Sequence, residues 1–179
     1  MATYMALSTL MQFVGSFIGP IIAKRLGIKG GMYSGLIIYA AALGSAYFIG
    51  KNPLIFTILL CVAMIGRNVC YTIELPLYTN VIDYTAIVNG KDVRPFMSSL
   101  YTVTIGIAKT IAGALLGFGL ATVGFDKAAV TTEAVQGIRV LLSAVPCASL
   151  AIGMIALSMF NVTEEKLIAL RKEKGLTVD

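Results

Sequence analysis

Arg67, Tyr71, Glu74 and Tyr78 stand at i, i+4, i+7 and i+11, which makes them one stripe of a helix. They interrupt an otherwise apolar stretch running from 54 to 78. Charged groups beside aromatic faces build a wall suited to a sugar, whose hydroxyls take hydrogen bonds and whose ring packs on an aromatic side chain. A second stripe, Ser98, Thr102, Ile105 and Lys109, lies in the next apolar stretch. Gln12, with Thr9, Ser16 and Gly19, gives a third and milder polar face. The bland alternative is structural: the charges are glue between helices, in a scaffold or channel-like bundle that transports nothing. Arg67 and Glu74 are two turns apart, too far to pair directly. Lys109 needs a carboxylate or it sheds its proton. Glu74 is one candidate partner, and a carboxylate outside this chain is the other.

Covalent chemistry is not indicated. Histidine is absent, which removes the commonest general base and metal ligand. Cys61, Cys70 and Cys147 form no CxxC pair and read as packing residues. No paired carboxylates exist of the kind a membrane-embedded enzyme would use, and neither cofactor nor metal is expected. The net charge of +5 comes from scattered residues, not from a basic stripe with interleaved aromatics, so nucleic acid is not an expected partner.

The stripes must be positioned by helices in lipid. Hydrophobic residues make up 58% of the 179-residue chain and charged residues 13%, against about 25% charged in soluble domains. The apolar residues come in blocks of the roughly 20 that span a bilayer. The fold class expected is therefore all-α, a polytopic membrane bundle. Five transmembrane segments are predicted, at about 4–23, 31–50, 54–78, 96–123 and 138–162. Pro20 and Pro146 fall inside them as sites of bending. Gly15/Gly19, Gly31/Gly35 and Gly113/Gly117 repeat at four-residue spacing, which lets helix backbones approach closely.

Lys24, Arg25 and Lys29, then Lys91 and Arg94, then Lys166, Arg171, Lys172 and Lys174 occupy alternate connections, while the intervening ones carry only Lys51 and Lys127, with Arg139 at a helix mouth. The positive-inside rule makes the nine cytoplasmic. The C-terminus is then inside and, after five crossings, the N-terminus outside. Met1-Ala2-Thr3-Tyr4 has no basic region typical of a signal peptide, so an outside N-terminus suggests missing upstream sequence. Residues 163–179 read as a cytoplasmic amphipathic tail on the inner membrane surface. Thr163 caps it, Glu164 and Glu165 fill its first turn, Leu167, Ile168 and Leu170 form its apolar face, and Arg171, Lys172 and Lys174 its polar side.

The stretch Asn80-Val81-Ile82-Asp83-Tyr84, followed by Gly90 and basic residues up to Arg94, resembles the cytoplasmic signature loop after the tenth helix of the glycoside–pentoside–hexuronide:cation symporters. These are melibiose-carrier-like members of the major facilitator superfamily. Asp83, Tyr84 and Gly90 match that pattern, while Asn80 and Thr85-Ala86 depart from it. Ala23-Lys24-Arg25-Leu26-Gly27 is similar to the family's basic loop between helices eight and nine. Thr132 to Arg139, Pro146 and Asn161 to Lys166 are similar to its last helix and exit. The resemblance covers nearly the whole chain and assigns the five segments to helices 8–12 of a twelve-helix fold. It implies a C-terminal portion of a sugar transporter of the cytoplasmic membrane, coupled to Na⁺ or H⁺ and working with a missing N-terminal half. It also implies that Lys109, the nearest match to a lysine of the eleventh helix, belongs to the coupling network. By the same resemblance Tyr71 is placed against the sugar. Lipid, a small sugar and that missing half are the partners expected.

Overall fold

The computed structural model describes residues 2–49, 52–124, 131–160, 162 and 164–174. Lys51, Lys127, the Thr163 cap and the tail beyond 174 lie outside them, as do the side chains of Glu164 and Glu165. The elements are α1 (Ala2–Ile49), α2 (Pro53–Asn89), α3 (Arg94–Thr122), α4 (Thr132–Met159) and α5 (Glu164–Glu173). Four helices are long and apolar enough to cross a membrane.

The first of these is twice the length that a bilayer needs, and it is two rods. At Gly27 the backbone leaves the helix, with φ 75° and ψ 166°, a left-sided conformation that glycine adopts at no steric cost. A Cβ built on Gly31 would lie 3.1 Å from the Cα of Ala23. Residues eight apart in a straight helix are about 12 Å apart, so the arms 2–26 and 28–49 fold back side by side.

Both arms clasp α2. Gly15 meets Ile65 and Asn68, and Gly19 meets Val69 and Thr72, so the first arm runs parallel to α2. Gly35 meets Val69 and Cys70, and Gly66 meets Tyr39, so the second arm runs against it. The second arm continues onto α4: Tyr33 donates to the Met154 carbonyl at 3.4 Å, Cys147 to the Ala40 carbonyl at 3.6 Å, and Arg139 to the Tyr47 carbonyl. Helix α3 runs against both α2 and α4, through Tyr78 with Met97 at one end and Leu141 with Gly119 at the other. The chain thus passes between the two ends of the bundle five times, reversing each time. Ala42, Leu43 and Ala63 form the core, with Tyr39, Leu60, Cys147 and Leu150 packed on it.

Glycine is required where backbones touch. A Cβ on Gly66 would stand 2.6 Å from the Tyr39 nitrogen and 3.0 Å from the Gly35 carbonyl oxygen. Backbone cannot rotate away, so Gly66→Ala is expected to cost about 1–3 kcal/mol, the range for overpacking. Gly106→Ala meets nothing within 4 Å and gains helix propensity. Thermal unfolding in detergent should show a lowered midpoint for the first variant and none for the second; equal midpoints would refute the close approach. Gly113 and Gly117, expected to pack a helix, also face open space.

Helix α3 is the least embedded rod, with no buried residue among those described. Between its second half, α4 and Tyr39 lies an apolar cleft of about 690 Å³, walled by Leu115, Phe118, Leu141, Val145 and Leu150.

Candidate functional site

Helix α2 divides its polar residues between two faces. Asn68 turns to the first arm, where its amide donates to the Gln12 carbonyl and to the Ser16 hydroxyl. Gln12 therefore acts through its backbone in a packing contact. About a quarter turn round the helix from Asn68 lies the stripe expected from the sequence. Glu74 is half-buried and accepts a hydrogen bond from the Tyr101 hydroxyl at 3.0 Å. Tyr78 donates to the Met97 carbonyl at 2.7 Å, and its ring stacks on Tyr101 with centroids 4.7 Å apart. The result is a carboxylate held by a phenol beside two stacked rings, at the contact of α2 with α3.

The stripe then runs off that contact into the open. Tyr71 is 70% exposed, and Arg67 is exposed one turn further on. On α3, Lys109 is exposed at mid-helix. Seven residues separate Arg67 from Glu74 and eight separate Lys109 from Tyr101. At 1.5 Å per residue, both cations lie about 11–12 Å from the Glu74–Tyr101 bond, in the same direction on antiparallel helices. They are level. Among the described residues neither has an ion-pair partner, and Glu74 binds Tyr101 in place of the Lys109 suggested by the sequence. Thr102 faces away from this cluster and donates to its own helix, at the Ser98 carbonyl.

Tyr101 was missed by the sequence reading because the Ser98–Thr102–Lys109 stripe runs one residue round the helix from it. The face that meets α2 carries Met97 and Tyr101, four residues apart. An aromatic at that spacing from the helix start was the available signal.

The signature residues gather at the basic end, but not on a loop. Helix α2 continues past Tyr78 to Asn89, because Val81, Ile82, Ala86, Ile87 and Val88 sustain it and nothing breaks it before Gly90. Asp83 and the half-buried Tyr84 are therefore helical. Gly90 caps the helix at φ 64° with its N–H on the Ala86 carbonyl, and Arg94 opens α3. The Asp83 carboxylate is forked by Arg171 at 2.8 Å and Arg94 at 3.3 Å. Helix α5 is docked by that contact, by Lys174 on the Ile87 carbonyl and by Leu167, which is 5% exposed. Arg171 thus faces the bundle, not the solvent side of the tail. Lys29 donates to the Phe160 carbonyl, so the Gly27 turn and the exit of α4 share this end.

No cluster of His, Cys, Asp and Glu that could hold a metal occurs among the described residues. What the arrangement offers is recognition without bond-making: a tethered carboxylate, stacked aromatics and two level cations in a membrane bundle.

The family model described as MFS/sugar transport protein matches residues 1–164. Similar proteins include the "Uncharacterized symporter YjmB" of Bacillus subtilis, 30% identical over 87% of this chain and 34% of that one. A protein of Escherichia coli provisionally named a sulfoquinovose importer is 27% identical over 88% of this chain and 34% of its own length. The "Glucuronide carrier protein homolog" of Escherichia coli is 23% identical over 82% and 33%. The chain spans about a third of the length of the relatives it matches. No solved structure matches.

Proposed function

The chain belongs to the MFS/sugar transport protein family, and from that membership we propose that it forms the C-terminal part of a secondary active transporter for sugars bearing an acidic group. The family is one of multi-pass membrane transporters, not enzymes. The proposal adds a coupling cation, Na⁺ or H⁺, an N-terminal half that supplies the other wall of the site, and alternating access by rocking of the two halves. It places the basic end of the bundle in the cytoplasm and the N-terminal end of the first arm outside.

One observation carries the substrate class. Arg67 and Lys109 are level at mid-helix, and no carboxylate of the described residues stands against either. An ionised group at hydrocarbon depth costs about 2.5–3.5 kcal/mol on insertion scales. An anionic ligand offsets that cost during binding, and Arg gives it a bidentate grip. Sulfoquinovose and glucuronides, named for two relatives, both carry an acidic group on a polyhydroxylated ring. The Glu74–Tyr101–Tyr78 cluster supplies the matching hydroxyl acceptor and ring faces. A purely structural role needs carboxylates beside the two cations; among the described residues there are none, so the N-terminal half would have to supply them.

Uptake by the complete transporter tests this. Acidic sugars should compete with labelled substrate at concentrations where the corresponding neutral sugars do not. Equal competition by neutral sugars would remove the acidic class while leaving sugar transport in place.

A further inference from the structure

At the basic end, outside the stripe, lies a cavity of about 440 Å³ lined by Gly90, Lys91, Asp92, Arg94 and Lys174, with Ala86 and Ile87 behind them. Three cations face it against one carboxylate. Two of the cations touch partners in the protein and keep donors to spare. Arg94, largely exposed, reaches Asp83 through one terminal nitrogen at 3.3 Å, and Lys174 uses one of its three N–H groups on the Ile87 carbonyl. Asp92 is occupied by the Arg94 backbone N–H at 3.1 Å. Lys91 has no partner among the described residues. Helices α2 and α3, which wall the cavity, also carry exposed apolar side chains near these ends: Val88 at 50%, Phe96 at 69% and Leu100 at 47%. A basic hollow at the ends of helices long and apolar enough to cross a membrane, with exposed apolar side chains on the same two helices, matches the chemistry of a lipid headgroup and its chains.

We propose that this cavity binds a phosphate group, that of an anionic phospholipid whose acyl chains lie along Val88, Phe96 and Leu100. Preoriented arginine and lysine donors make charge-assisted bonds to phosphate oxygens, and basic pockets between membrane helices are suited to anionic headgroups. Free inorganic phosphate has the same chemistry without the chains. The site does not depend on what the transporter carries.

The test is native mass spectrometry of the full chain in detergent, offered phosphatidylglycerol or phosphatidylcholine, with inorganic phosphate as competitor. Phosphatidylglycerol should be retained over phosphatidylcholine. K91Q/K174Q, which leaves the Asp83 contacts intact, should weaken retention roughly thirtyfold, from the surface contribution of two basic residues. K91R/K174R should keep it, which separates lost charge from lost folding, and K24Q/R25Q, at the Gly27 turn, should keep it also. Retention that inorganic phosphate fails to displace identifies the lipid. Displacement by inorganic phosphate, with phosphate binding lost in K91Q/K174Q, identifies the free anion and overturns the lipid. Equal retention of the two lipids, or retention unchanged in K91Q/K174Q, overturns the site.

Discussion

Replacing Lys109 with methionine in the complete transporter is expected to abolish concentration of substrate while leaving the protein inserted and folded. The side chain is exposed at the middle of α3 and has no ion-pair partner among the described residues. Removing its charge relieves the insertion cost of about 2.5–3.5 kcal/mol and breaks no ion pair among the described residues, so expression should hold or rise. Coupling is another matter. If Lys109 senses both substrate and ion, its loss removes a coupling free energy, typically 5–150-fold in affinity between the sites, and the gradient collapses. Uptake against a gradient, measured beside downhill exchange in the same vesicles, separates the two. A structural lysine would give the reverse pattern: poor expression, with normal coupling in what survives. Glu74 sharpens the comparison. Its carboxylate holds the Tyr101 hydroxyl, and Glu74→Gln keeps an acceptor there, so the fold should persist while half-maximal transport needs more sugar. Neutralising both residues should restore nothing, because they are not each other's partner. Recovery in the double variant would show that a Glu74–Lys109 pair forms in another state of the transporter.

Cysteine labelling is expected to be all-or-none. In a chain freed of Cys61, Cys70 and Cys147, cysteines placed at Asp92 and Lys174 should react only from the cytoplasmic side, and one at Asp126 only from outside. The Gly27 turn, the α2–α3 connection and α5 share one end through Lys29–Phe160, Asp83–Arg94, Asp83–Arg171 and Lys174–Ile87. That end carries nine of the basic residues, the side the positive-inside rule assigns to the cytoplasm. External labelling at Asp92 would invert the bundle.

Periodicity made the Arg67–Tyr71–Glu74–Tyr78 stripe legible, because four polar residues on one face of an apolar helix have no other regular explanation. It could not say which helix that face meets. Tyr101 and Thr102 are neighbours in sequence but about 100° apart around α3, and only the packing of α3 on α2 decides that the tyrosine reaches Glu74. Asn68 was hidden because one amide among apolar residues has no period, and Arg171 because its partner is 88 positions away. Glycine spacing predicted close approach for Gly15/Gly19 and Gly31/Gly35, which pack. The same spacing at Gly113/Gly117 found no neighbouring helix, since spacing permits contact and does not create it.

Among the described residues, the hydrogen bonds and close approaches that tie helix α3 to the rest of the bundle lie towards its two ends, at Met97 and Tyr101 and again at Gly119 and Val123. Mechanically it is a beam on two supports. The cheapest deformation of such a rod is a bow, largest halfway between the supports, and it needs no end contact to break. Gly106, Gly113 and Gly117 soften the unsupported stretch, having no side chains to brace the turns. Lys109 rides near the point of greatest deflection, about midway between Tyr101 and Gly119, so a slight flexing of the rod displaces it more than the residues at the supports.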